Sequence, residues 1–206
     1  GLRPSTSRQA EIGIKTFVGD DARINAALFR IETDDEIVVL ASEEGRTSYQ
    51  NAGRTLRQGI EIAAQAELTR TLTARASLTW MQAEYDEAFK SRGTTVAAGN
   101  RIPGVPRIAA FAELAWQAAP GVTLAGEVLH RGEVEVNDLN NDRSAPAYTL
   151  FNLRLSAEQQ QGPWTFGQLL RVDNVLDRKY VGSVIVGDSN KRYYEPGPER
   201  SVYAGV

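Results

Sequence analysis

The chain has no cysteine, one histidine and one methionine in 206 residues. No disulfide framework, CxxC redox pair or thiolate metal site can be built from it, and His130 has no second His or Cys at ligand spacing, so no metal site is assigned. Apolar residues never run to the roughly 18 in succession that a membrane helix needs. Charge of one sign is also scarce: 23 Lys and Arg against 26 Asp and Glu leave a net −3. The cations are scattered rather than striped, which argues against nucleic acid as a partner. There is no Gly-x-Ser-x-Gly elbow and nothing pairs His130 with a nucleophile, so no catalytic residue is assigned and the chain is read as a non-enzyme. The acidic runs Asp34-Asp35-Glu36 and Glu43-Glu44 lack the spacing of a calcium loop and read as solvated loop charges. No positively charged, then apolar, leader opens the sequence, so an exported protein of this sequence is a processed product or a fragment.

What the chain does have is alternation. In Leu72, Ala74, Ala76, Leu78 and Trp80 every second position is apolar, while Thr73, Arg75, Ser77 and Thr79 between them are polar. Ile12 and Ile14, then Phe151, Leu153 and Leu155, then Phe166, Leu170 and Val172 repeat the pattern. Period two is strand periodicity, and a strand apolar on one face and polar on the other suits a wall with lipid outside and water inside. Soluble sheets alternate too, but their strands average ~5–6 residues, whereas a tilted membrane strand needs ~9–11. The segments here are of the longer kind. Tight turns at Gly19-Asp20-Asp21, Thr69-Arg70-Thr71, Ala119-Pro120-Gly121 and Gln161-Gly162-Pro163 alternate with long connections through 33–48, 84–100, 131–146 and 182–198. That rhythm predicts an all-β antiparallel up-and-down meander: part of a transmembrane β-barrel, with short turns on one side of the membrane and long loops on the other.

Strands are placed at 5–18, 22–33, 49–68, 72–84, 106–117, 122–131, 147–158, 164–176 and 199–206. Phe29 and Ile31 share a face with Asn25, so the facing of the second strand stays open. Bacterial single-chain barrels close with even numbers, and unpaired strand edges in lipid cost several kcal/mol per unsatisfied group. Nine strands therefore imply a piece of a larger barrel. Trp80, Trp116 and Trp164 fall near strand ends, where an indole suits the bilayer interface.

Several strings carry a resemblance. Gly99-Asn100-Arg101-Ile102-Pro103-Gly104-Val105-Pro106-Arg107, Val172-Asp173-Asn174-Val175-Leu176-Asp177-Arg178-Lys179-Tyr180, Tyr49-x-Asn51-Ala52-Gly53 with Gly59-Ile60-Glu61, and Tyr194-Glu195-Pro196-Gly197-Pro198-Glu199-Arg200 resemble, in order, elements of the TonB-dependent outer-membrane receptors. The resemblance spans essentially the whole chain. It implies that residues 1–206 are a carboxyl-terminal segment of a barrel of about 22 strands, with the plug domain and its TonB-contacting box not represented. It further implies a home in the outer membrane of a Gram-negative bacterium, contact with its lipid and with the rest of the barrel and plug, and coupling to TonB through that plug. The implied function is energy-coupled uptake of a ferric siderophore or similar metal chelate, with no cofactor of its own. A passive porin-like barrel and a soluble all-β adhesin or binding module are the alternatives.

The residues themselves give most of these strings structural roles. Pro103 and Pro106 restrict the residues before them to extended conformations and start a strand. Asn174 and Asp177 read as turn residues bonding backbone. Gly59 is expected to make room for the plug, with Glu61 as a plug-facing carboxylate. If the segment recognises a chelate, the long loops should do it, through Arg and aromatic side chains. The candidates are Tyr85, Arg92, Arg131, Asn137, Asn140, Asn141, Arg143, Lys191, Arg192, Tyr193 and Tyr194.

Overall fold

The computed structural model describes residues 1–206. In chain order the strands are β1 (Thr6–Val18), β2 (Ala22–Asp34), β3 (Ile37–Glu43), β4 (Arg46–Asn51), β5 (Thr55–Thr69), β6 (Leu72–Tyr85), β7 (Phe89–Ser91), β8 (Thr94–Val96), β9 (Ile108–Ala119), β10 (Val122–Arg131), β11 (Tyr148–Gln161), β12 (Trp164–Asp173), β13 (Val181–Val184), β14 (Tyr194–Pro196) and β15 (Ser201–Gly205). Nine of them form one antiparallel sheet in the order β1-β2-β5-β6-β9-β10-β11-β12-β15. The six others pair off as hairpins outside it: β3 with β4, β7 with β8, β13 with β14. The main sheet is thus a meander interrupted only where long connections form hairpins of their own.

The four tight turns fall where the sequence puts them. Three of them hold a glycine at positive φ, Gly19, Gly121 and Gly162, and at Gly121, with φ +74°, a Cβ would also collide with the carbonyl oxygen of Glu158. Two expectations change. The strand drawn through 49–68 is two strands broken at 52–54, because Arg46–Asn51 pairs back onto β3 rather than joining the sheet. The connections drawn as plain loops through 33–48, 84–100 and 182–198 contain the three small hairpins.

Register converts the alternation into two continuous surfaces. Across one face run Ile12, Leu28, Ile60, Trp80 and Ile108, each opposite the next, and lower down Leu72, Trp116, Leu124, Leu155, Leu170 and Ala204. All of these but the half-buried Leu72 are exposed, Ile12 to 74%, and Leu78 on the same face of β6 to 41%. In water such a surface would be a large unburied apolar patch; against hydrocarbon it is the favourable face of a barrel wall. The second strand now has a facing. Leu28 lies opposite Ile12 and Ile60 on the lipid face, which puts Phe29 on the polar face opposite Glu11 and Gly59. Trp80 sits at the loop end, Trp116 and Trp164 at the turn end, all on the lipid face. His130 is on that face as well, opposite Ala110, with Nδ1 2.9 Å from Thr149 Oγ1.

Buried residues lie chiefly where the loops are. Val38, Ala52, Ala83, Tyr85, Val96 and Ile102 form one small core, with Met81, Phe89, Val105 and Leu139 packed against it. Val134, Val136, Ala145 and Tyr193 form a second, with Val181 and Val184. The long connections are therefore a folded cap over one end of the wall.

Candidate functional site

Opposite the lipid face, a line of ion pairs crosses five strands. Arg171 on β12 donates twice to Glu127 on β10, at 2.8 and 2.7 Å, and once to Asp173 at 2.7 Å. Arg154 on β11 donates to Glu113 on β9 at 2.8 Å and stands 3.9 Å from Glu127. Arg75 on β6 reaches Glu113 at 3.9 Å. The two glutamates are covered by the arginines and Asn152 adds a hydrogen bond to Glu127 at 3.3 Å. Three cations and three anions cancel, so this stretch of lumen wall is self-neutralised. Charges that must leave bulk water keep their ionised form only when paired in this way. Each residue sat on the polar positions of its strand in sequence, but only register shows them in one row.

Elsewhere on the lumen face charge is open. Glu61, opposite Ala27 and Thr79, is exposed and makes no ion pair or side-chain hydrogen bond. The space beside it is not vacant: the Phe29 ring covers Gly59, and a Cβ at 59 would meet that ring and the Trp80 carbonyl. The glycine expected to accommodate a plug thus accommodates an aromatic of its own wall, the pairing by which a ring compensates for a strand glycine.

Higher on the same face, beneath the cap, Arg131 lies opposite Tyr148, and the ring of Tyr148 packs on that of Tyr180 with centroids 4.4 Å apart. Arg131 is held by no side chain. Tyr148 and Tyr180 escaped sequence reasoning because one begins a strand and the other ends a motif read as structural. A phenol on the lumen parity of β11 was the signal available.

The other loop candidates divide by what they already hold. Tyr85 is only 1% exposed, and its hydroxyl donates to Asp138 at 2.6 Å; it belongs to the core of the cap, not to its surface. Asn140, with φ +51°, accepts from the Arg101 amide at 2.6 Å and donates to the carbonyls of Arg101 and Asn137 at 3.0 and 2.9 Å. Arg92 links three hairpin loops, donating to the Leu40 carbonyl at 2.9 Å and to Ser189 Oγ at 2.8 Å. Asn137 donates to Asn141 at 3.1 Å and to Asp142 at 2.8 Å. Asp142 also takes the Tyr193 hydroxyl at 2.7 Å and the Lys191 ammonium at 3.0 Å. Those donors, Tyr193 first, hold the Asp142 carboxyl below the usual range. Burial pushes Asp138 the other way, against the pull of the Tyr85 hydrogen bond. Tyr194 donates to the Arg143 carbonyl at 2.5 Å. The guanidinium groups of Arg143 and Arg192 are exposed and unengaged. Lys191-Arg192-Tyr193-Tyr194 is therefore not one surface, since Tyr193 is buried between neighbours that are not.

The family strings resolve into scaffolding. Asn51 bonds Arg3 and the Asp35 carbonyl at 2.7–2.9 Å. Asn174, with φ +50°, accepts from the Arg178 amide and donates to the Arg178 and Pro198 carbonyls, and Asp177 accepts from the Arg200 amide. Four residues of the acidic runs are engaged by protein groups, Asp35 by Arg3, Asp34 by Arg54, Glu36 by Arg57 and Glu43 by Ser189, while Glu44 is free.

Residues 1–175 match the family model described as TonB dependent receptor-like, beta-barrel. The chain belongs to that family. Its members are β-barrels of the Gram-negative outer membrane, so the exposed apolar face is lipid-facing. Over its whole length the chain is 28% identical to the ferrioxamine receptor of Yersinia enterocolitica and 26% identical to the ferrioxamine B receptor of Salmonella typhimurium, and spans 28% of the length of each. Among solved structures it resembles the siderophore receptor PiuA from Acinetobacter baumannii, with TM-score 0.73 and 21% identity over 96% of this chain and 28% of that one. The ferric citrate transporter FecA, unliganded, gives TM-score 0.77 at 18% identity over 96% of this chain and 30% of that one. At those identities the likeness is one of fold.

Proposed function

We propose that this segment is the carboxyl-terminal part of the barrel of an energy-coupled receptor that takes up a ferric siderophore, with ferrioxamine-type complexes the class its relatives' names suggest. The observation that carries the reading is the lumen cluster under the cap: an unengaged Arg131 beside the packed rings of Tyr148 and Tyr180. A guanidinium next to phenol faces can bond carbonyl or carboxylate oxygens of a chelate and lie against its organic shell. Arg143 and Arg192 add free cations at the outer edge of the loops. Membership of the family supports a plug filling the lumen, with Glu61 on its contact surface, and TonB coupled through that plug. A passive pore is the competing reading.

Whole cells carrying the full-length receptor decide between them. Replacing Arg131 with Ala should weaken binding of ferrioxamine B by ~1–3 kcal/mol, about tenfold or more, as expected for a charge-assisted contact, and uptake should stop when the inner-membrane gradient is collapsed. Unaltered binding would remove Arg131 from the site, and uptake that persists without the gradient would favour the pore.

A further inference from the structure

Between two charged rows of the lumen wall runs one without charge. Register sets Asn25 opposite Ala63, Ala63 opposite Ser77, Ser77 opposite Phe111, Phe111 opposite Leu129 and Leu129 opposite Leu150, all on the face that carries the ion pairs. The row below holds Arg23, Arg75, Glu113 and Glu127, and the row above holds Glu61 and Arg131. From β2 to β11 the middle row has no ionisable side chain; only on β1 does it meet one, Lys15 opposite Asn25. Register rows in a barrel run obliquely, because neighbouring strands are staggered. Leu150 lies twelve positions from Gly162 in its tight turn, Leu129 and Phe111 nine from Pro120, Ser77 and Ala63 seven from Arg70, and Asn25 five from Asp20. The row therefore descends from the loop end toward the turn end as it crosses the wall.

Its upper end adjoins the cluster under the cap. Arg131 stands two positions above Leu129 on β10, and Tyr148 two above Leu150 on β11, on the same face. Here the row is apolar: Leu129 is 36% exposed inside the lumen, with Phe111 and Leu150 half-buried on either side of it. Farther down, the side chains shrink to Ser77 and Ala63, both exposed, and a hollow of about 310 Å³ opens against Asn25, Ala63, Ser77 and Phe111. Width and neutrality thus coincide. A cargo held by charge-assisted bonds is released slowly, whereas passage needs contacts that are weak and many. The glutamates and arginines of the row below engage one another, which leaves the uncharged row free of strong competing ties.

We infer that this row is the track along which a chelate leaves the Arg131–Tyr148–Tyr180 cluster and descends the wall, past Phe111 and through the hollow at Ser77. This rests on the chelate-receptor reading. A ferrioxamine-type chelate suits such a track, since hydroxamates neutralise ferric iron and the chain between them is aliphatic. Ser77 and Ala63 then serve passage and not capture, their small size leaving room between wall and plug.

Ser77→Cys in the full-length receptor, labelled with a bulky maleimide once the protein is in the membrane, tests it. Residues 1–206 contain no cysteine, and the parent treated alike is the first control. Gln117→Cys, exposed on the same face but outside the row, is the second. Label at 77 should leave binding of ferrioxamine B to whole cells unchanged and slow its uptake about tenfold or more, because a group filling a narrow passage blocks it; label at 117 should alter neither. Uptake that is not slowed by label at 77, or is slowed equally by label at 117, overturns the track. So does a cysteine at 77 that resists labelling while the one at 117 reacts, which would put the plug against the row. Lost uptake with entry of a large antibiotic that the sealed receptor excludes would mean a displaced plug, and binding lost together with uptake would make Ser77 part of the capture site; either result overturns it too. A parent that takes up no ferrioxamine B overturns the receptor reading and the track with it, an outcome read before any label is applied.

Discussion

The wall and the cap are stabilised in opposite ways by the same chain. Along the wall the apolar side chains point outward, so the ladders of the nine-stranded sheet hold it. Its hydrophobic burial is against lipid, which the chain does not supply. In the cap the apolar residues turn inward into two small clusters, and polar side chains knit the loops. A barrel wall is incomplete without a membrane and its missing strands, whereas the cap has core enough to be ordered by its own contacts. Rigidity in the wall and modest local stability in the cap is the division that the proposed receptor function would use.

The largest effect that would break this contrast is on the wall. Leu78→Arg should weaken membrane assembly by roughly 2–4 kcal/mol if the site is near the midplane, while Asp20→Lys, in the tight turn at the interface, should cost ~0–1. Folding of the intact protein into vesicles measures both. Equal costs would mean that the lipid face has been assigned wrongly, and with it the register rows that cross Ile62, Leu78 and Ala110.

A smaller and more local effect is expected in the cap. Tyr85→Phe keeps the ring against Phe89 but takes the donor from Asp138, leaving a buried carboxyl without its side-chain partner. Loss of one partner of a buried hydrogen bond costs ~1–3 kcal/mol. Amides that close this region, Tyr85 to the Asn100 carbonyl and Gly99 to the Tyr85 carbonyl, at 2.9 and 2.7 Å, should exchange faster, with vesicle assembly unmoved. A drop in assembly of the wall equal to the loosening of the cap would show the two regions to be one cooperative unit.

The same contrast explains what the sequence could say. Wall strands were legible because alternation is local: Leu72 to Trp80 carries its own facing, and a turn such as Gly162-Pro163 marks its own position. Strand β2 resisted because Phe29 belongs on the lumen side, and its reason, the bare backbone of Gly59, is 30 positions away. The cap was illegible for the same cause on a larger scale. Nothing near Tyr85 announces Asp138, nothing near Arg92 announces Leu40 or Ser189, and nothing in Arg192-Tyr193 tells which of the two is buried. Loop residues chosen for chemistry alone were therefore a mixture of free cations and structural ties. The ion-pair row fell between the cases: parity placed Arg75, Arg154 and Arg171 on the polar face, and only pairing register brought Glu113 and Glu127 between them.

The smallest expected effect concerns pH and lies in the cap, where two aspartates behave oppositely. Hydrogen bonds from Tyr193 and Lys191 lower Asp142, so its contribution is present above the ordinary carboxylate pKa and is lost as pH falls through the lowered native value. Asp138, raised by burial, has the reverse sign: its contribution is fullest below the ordinary value and is lost as pH rises through the raised one. Acid should accordingly loosen the junction of 137–142 with 191–193 while stabilising the Tyr85–Asp138 region. Lys191 is exposed, so the acid effect at Asp142 is modest through solvent screening. Amide exchange across 185–193, corrected for the intrinsic pH dependence, reads it, and Asp142→Asn should flatten the profile in acid. A variant that follows the same course as the parent would take Asp142 out of the junction's pH response and leave Asp138 as the titrating group in the cap.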